Sequence, residues 1–198
     1  MMTFRPILLI PLLALAACGG SSSDDAAPAA DTTSAAAATD TPASAAVDSA
    51  NPASWQLSEN GIGPVRVGMT VAEAAAALSV TAAQADTSEC AYVGLAGLPA
   101  GVSLMTERGR IVRVDADDSS TVATAAGAKV GWTEQQLRDA YPNVRVQPHK
   151  YDEGNYVIVI PGAPADTTHR IVFEAVRGVV TRFRGGQTPQ VEWVEGCS

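Results

Sequence analysis

Most of the usual markers of chemistry are missing from this chain of 198 residues. Two histidines, His149 and His169, are too few for a conventional zinc site unless carboxylates complete it. There is no GxSxG elbow, no glycine loop to cradle a phosphate and no HExxH pair. Bases are scarce: thirteen lysines and arginines stand against twenty-one acids, a net charge of −8. A nucleic-acid binder needs a basic stripe that releases phosphate counterions, so no nucleic-acid partner is expected. The apolar run Ile7–Ala17 (ILLIPLLALAA) has eleven residues, whereas a helix needs roughly 20 to span a bilayer. Catalysis, cofactor and metal find no motif to rest on, and the chain is read as non-enzymatic.

What is present begins with an address. Met1–Pro6 carries one base, Ile7–Ala17 is apolar, and Gly19–Ser54 consists almost wholly of Ala, Ser, Thr, Asp, Pro and Gly. The first part has the form of a secretory signal. The polar part has too little apolar surface to offset the entropy of ordering, which predicts a flexible leash of 36 residues with an r.m.s. reach of about 30–35 Å. Its five aspartates (Asp24, Asp25, Asp31, Asp40, Asp48) leave sixteen acids and twelve bases from Trp55 onward. Leu15-Ala16-Ala17-Cys18 resembles the lipobox of bacterial lipoproteins. That resemblance implies cleavage before Cys18 and acylation of its sulfur and new amino group; two or more chains anchor stably where one does not. Gly19, where aspartate marks inner-membrane retention, points by analogy to the outer membrane, facing the periplasm.

From Trp55 the chain echoes itself. VGMTVAEAAAAL (67–78) is answered by VGWTEQQLRDAY (130–141), CAYVG (90–94) by GNYVI (154–158), and SLMTERGRIVRVDA (103–116) by VFEAVRGVVTRFRG (172–185). Thr70 and Thr133 have N-cap positions with Glu73 and Gln136 at capping-box spacing, and Trp132 and Leu137 stand where a hydrophobic staple would form. Strands are expected from Tyr92 and Tyr156, and hairpins around Arg108-Gly109 and Arg177-Gly178. This reads as an α+β fold: two tandem helix-then-antiparallel-strand repeats, about 62–120 and 125–190, forming one curved sheet with helices on one face. The domain order is then signal peptide 1–17, lipidated cysteine and linker 18–54, and folded part 55–198.

The GMT helix start, the later tyrosine-bearing strand and the final hairpin resemble the small α+β lipoprotein domain of the BamE (SmpA/OmlA) type. Two such units in tandem also look like the beta-lactamase inhibitor protein. BamE-type proteins carry one unit, and the inhibitor lacks a lipid and has a disulfide in each repeat, so no functional residue of either is carried over. The resemblance implies an envelope-assembly module or, as an alternative, an inhibitor of an envelope hydrolase.

Three cysteines occur, Cys18, Cys90 and Cys197. With Cys18 acylated, the remaining pair suggests a Cys90–Cys197 disulfide in an oxidising compartment; the alternative is a reactive thiol with His149 or His169 as base. The acidic loop DADDSS (115–120) fails the EF-hand rhythm, with Ser120 in place of Gly and Ala126 in place of Glu. PHKYDEG (148–154) gathers His149, Tyr151 and Asp152, either as an enzymatic or carbohydrate site or as a solvated connection. Arg113 and Arg182 match between the echoes, with Arg184 two residues on, and period 2 places them opposite Val112, Val114, Thr181 and Phe183. If the valine face meets the helices, these arginines face outward with Tyr92, Tyr156 and Trp193. That face is the candidate surface for an envelope protein partner, since Tyr, Trp and Arg dominate binding hot spots. The bland counterpart is a solvated face whose arginines pair with Asp115 and Glu192.

Overall fold

A computed structural model describes residues 51–82 and 89–197, within the compact unit Ser44–Ser198. The signal segment, Cys18 and the linker up to residue 50 lie outside the described residues. Three strands of two residues each, β1 (Leu57–Ser58), β2 (Gly61–Ile62) and β3 (Val65–Arg66), form a small antiparallel sheet. Helix α1 (Val71–Ala77) precedes β4 (Ala91–Val93), β5 (Val102–Glu107) and β6 (Arg110–Ala116); α2 (Glu134–Ala140) precedes β7 (Arg145–Pro148), β8 (Gly154–Val159), β9 (His169–Val176) and β10 (Val179–Gln187). The seven later strands make one antiparallel sheet in the order β4-β5-β6-β10-β9-β8-β7.

This overturns the α+β expectation. The chain is mostly β, with two antiparallel sheets and, among the described residues, two helices of seven residues each, and it is not a pair of helix-then-strand repeats. The helices stay short for local reasons. After α1, Ser79 takes φ 56° and turns the chain out of the helical region. After α2, Tyr141 (φ −130°, ψ 86°) precedes Pro142, whose ring disfavours helical geometry in the residue before it. Leu57–Arg66, to which the sequence reading assigned no strand, supplies the second sheet.

What the echoes do mark is local. Thr70 and Thr133 each cap a helix: their hydroxyls accept the N–H of Glu73 and Gln136 at 3.2 Å, and those side chains accept the cap N–H groups at 2.7 and 2.8 Å. Arg108-Gly109 (φ 51°, 75°) and Arg177-Gly178 (φ 50°, 79°) form the tight hairpin turns whose two central residues need positive φ. Each hairpin also bulges, between Met105 and Thr106 and between Val180 and Arg182.

The principal core packs the two helices and the small sheet on one face of the large sheet, around Leu57, Ile62, Val65, Val71, Leu104, Leu137, Phe173 and Phe183. The rings of Phe173 and Phe183 lie 5.2 Å apart across β9 and β10. A second, smaller cluster of Tyr156, Ile158, Val172 and Val191 lies elsewhere on the sheet. Each of Leu57, Ile62 and Val65, fully buried, contributes about 1.5–3 kcal/mol relative to exposure. Their approach depends on Gly185 of β10, where an added Cβ would come within 2.2 Å of the Ser58 carbonyl oxygen. Gly185→Ala is expected to destabilise the protein in urea unfolding by about 3 kcal/mol. The control Gly94→Ala, in open space, should stay within about 0.5 kcal/mol of wild type.

Candidate functional site beneath the C-terminal strap

Alternation along β6, β9 and β10 puts Arg113, Asp115, Glu174, Arg182 and Arg184 on the face away from the principal core, provided the strands are in the right register. The bulge in the β9–β10 hairpin sets that register. A two-residue turn pairs Val179 with Val176, and unbroken pairing would set Arg182 against core-facing Phe173; the bulge instead pairs Arg182 with Glu174, Phe183 with Phe173 and Arg184 with Val172. Across the other edge of β10, Arg184 pairs with Asp115 and Gly186 with Arg113. Glycine is required there because an added Cβ would lie 2.5 Å from the Val112 carbonyl oxygen and 2.8 Å from the Arg113 Cα.

This face does not look outward as expected. The chain after β10 turns through Gln190–Glu192 and lies over it as a strap ending at Cys197. Arg113 and Arg184 are each only 3% exposed. Arg113 donates from Nη1 to the carbonyls of Gln190 (3.0 Å) and Trp193 (2.8 Å), from Nε to Asp115 (2.8 Å), and from Nη2 to the Tyr92 hydroxyl. Arg184 donates from Nε to the Val191 carbonyl at 2.6 Å and from Nη1 to Glu174. A guanidinium has five donors and no acceptor, so burial demands such a set of oxygens. Arg182 alone of the three remains outside, its side chain 63% exposed with Nε 3.5 Å from Glu174.

The aromatic candidates divide similarly. Tyr156 is buried, its ring stacked 4.5 Å from His149, and burial is the first cause of its raised phenol pKa. Tyr92 is half-exposed, with its phenol raised first by burial and then by Asp115. Trp193 is partly buried in the strap. The Cys90–Cys197 disulfide joins residues 107 apart, with Cα atoms 5.3 Å from each other, so neither cysteine is a free nucleophile.

His149 also changes character. Its side chain is 5% exposed, and Nδ1 accepts the N–H groups of Asp152 (3.0 Å) and Tyr151 (3.3 Å). Nδ1 must therefore be unprotonated, which leaves the ring proton on Nε2, 3.6 Å from Glu174. Asp152 stays beside the ring, its Oδ2 3.7 Å from Nδ1, whereas Tyr151 points elsewhere, its hydroxyl donating to Glu195. In the acidic loop, Asp117 accepts from the N–H (2.9 Å) and hydroxyl (2.6 Å) of Ser119, an Asx-type turn. Among the described residues no group of three or more His, Cys, Asp or Glu is placed to hold a metal.

Several site residues escaped the sequence reading. Glu174 joins Arg184, Arg182 and His149; Glu195 takes Lys150 Nζ at 2.7 Å; Gln190 donates to Glu107 at 2.6 Å. Glu192, expected beside the strand arginines, takes Arg145 and Arg170 instead. Hairpin pairing from Arg177-Gly178 brings Glu174 near the arginines, but the bulge decides its partner. The strap residues carry no strand-like alternation of period 2. A cleft of about 450 Å³ opens along the strap, lined by Cys90, Lys150, Trp193, Glu195 and Cys197.

Removing Glu174 would leave a buried guanidinium uncompensated, so Glu174→Ala should cost about 3–5 kcal/mol in denaturant unfolding. Glu195 titrates below its ordinary value, first through the Lys150 bond and then through Tyr151. Because the folded pKa is the lower one, this contact stabilises above the unfolded value of 4.5 and is lost as pH falls through the depressed folded value. Lys150→Met should return the Glu195 carboxyl toward 4.5 in an NMR titration. No protein-family model, curated protein or solved structure matches this chain.

Proposed function

We propose that the protein is a lipid-anchored component of the cell envelope, held to the outer membrane through acylated Cys18 and facing the periplasm, whose folded part is a non-catalytic binding module. The Leu15–Cys18 pattern supports the anchor, and the Cys90–Cys197 disulfide suits an oxidising compartment. His149, sealed against Tyr156 and committed to two backbone donors, is a structural group, which favours binding over chemistry. The docking surface in this reading is the rim of the strap, since the sheet face beneath it is covered.

One observation carries the proposal. Among the described residues, three large hydrophobics stand exposed, Tyr92, Tyr151 and Val179, and both tyrosines flank the strap. Tyr151 bonds Glu195, and a Cβ on Gly196 would come within 2.4 Å of the Tyr92 hydroxyl oxygen. Exposed tyrosines beside a cleft walled by Trp193 and Lys150 have the makeup of a binding hot spot. The partner is an envelope protein.

The test places a photo-crosslinking residue at position 92, 151 or 135, the last on exposed α2, in cells also fed an alkyne palmitate probe. A protein adduct at 92 and 151 and not at 135, with palmitate label lost in Cys18→Ser, is the expected result. Equal adducts at all three positions, or none at 92 and 151, would refute the docking surface; label surviving in Cys18→Ser would refute the anchor.

A further inference from the structure

The strap is held differently from every strand beside it. Its amides at Glu192 and Trp193 bond to the carbonyls of Pro189 and Gln190 within its own turn, so it is not a strand of the sheet. Side chains rising from the sheet hold it instead. Arg113 and Arg184 grip the carbonyls of Gln190, Val191 and Trp193. Such bonds read backbone and ignore which side chain the peptide carries. Selectivity comes from two cationic sockets: Arg145 and Arg170 for Glu192, and Lys150 with Tyr151 for Glu195. Val191 and Val194 pack into the apolar patch of Tyr156, Ile158 and Val172. The strap segment Val191-Glu192-Trp193-Val194-Glu195 thus presents apolar and acidic residues each at a spacing of three.

The fit is incomplete. A hollow of about 220 Å³ remains beneath the strap, bordered by Tyr156, Ile158, Val172, Arg184, Glu192 and Val194. The far end of the strap is fastened by the Cys90–Cys197 disulfide, and both cysteines line the open 450 Å³ cleft and are only partly buried. A covering element held by side chains and one accessible covalent clasp belongs to the least stable part of a fold.

We propose that the face under the strap is a peptide-docking groove for an acidic segment of a partner protein, with apolar and acidic residues each recurring every third position as in the strap, and that the strap occupies this groove in cis until a dithiol opens the Cys90–Cys197 disulfide. The inference deepens the binding-module reading and rests on it. A thiolate of the dithiol attacks one sulfur of the pair, forms a mixed disulfide and expels the other sulfur as thiolate. The second thiol of the reductant then displaces the mixed disulfide. Two electrons pass to the cysteines, which take up two protons as they become thiols, and the reductant leaves as a disulfide. Opening releases the distal end of the strap, so a tethered competitor fixed at both ends becomes one fixed only at Pro189.

The test uses the full lipidated protein in detergent and a fluorescent peptide of the strap sequence, residues 187–195, with anisotropy as readout. Affinity should rise about tenfold or more on treatment with dithiothreitol and in the double variant Cys90→Ser/Cys197→Ser, as the cis competitor loses its second attachment. A peptide with glutamine in place of both glutamates should bind about tenfold more weakly, having lost both sockets. Equal binding to oxidised and reduced protein, no binding after opening, or indifference to the glutamines would overturn the proposal. Deuterium exchange covers a variant that fails to fold: in reduced wild type, amides 191–196 should exchange faster while the β5–β6 and β9–β10 hairpins stay protected. Unchanged exchange, or loss of protection throughout the sheet, would show a fixed structural pin and also overturn it. Crosslinks at 92 and 151, taken on oxidised protein, test the binding-module reading separately.

Discussion

Two guanidinium groups, those of Arg113 and Arg184, are buried on the face of the large sheet opposite α1 and α2, and the need to satisfy them organises the C-terminal strap. An isolated buried cation is among the costliest groups a fold can contain. Here each is met by a carboxylate, Asp115 or Glu174, and by carbonyls of the strap. The strap needs the arginines because its turn leaves those carbonyls without strand partners. Each side offsets the other's loss of water, which explains why a short segment outside the sheet can be ordered over it.

The sheet consequently has two differently built faces. One is conventional and apolar, with Phe173, Phe183 and Leu104 packed against the helices and the small sheet. The other is a charged layer with one apolar patch, in which Glu174 meets Arg184, Arg182 and His149. Gly185 and Gly186 are adjacent on β10 and serve opposite neighbours: the first lets β1 approach, the second makes room beside Arg113. The strand that joins both halves of the sheet therefore carries no side chain at the two positions where its neighbours come closest.

Local features of this chain were legible in its sequence and long-range ones were not. The capping boxes at Thr70 and Thr133 and the tight turns at Arg108-Gly109 and Arg177-Gly178 need only neighbours in the chain, and all four formed as their residues indicate. The larger reading of tandem α+β repeats failed because two-turn helices and β-rich connections left the strands to dominate. Arg113, Arg182 and Arg184 are expected together on one outward face, yet Arg113 and Arg184 lie on the other side of the solvent boundary and Arg182 alone is exposed. Period-2 alternation states which residues share a face; it is silent on whether something distant in sequence covers that face.

Sequence alone determined where helices and turns begin, which two cysteines were left to pair once Cys18 was set aside, and that Arg113 and Arg184 lie opposite Phe183 and Val114, because each is a matter of spacing or counting. Tertiary structure decided the bulge that sets Arg182 against Glu174, the strap that closes over the arginines, and the sockets for Glu192 and Glu195. Those outcomes depend on segments tens of residues apart satisfying one another's buried charge and backbone polarity. No local pattern encodes that requirement, since the cost arises only when the pieces meet away from water.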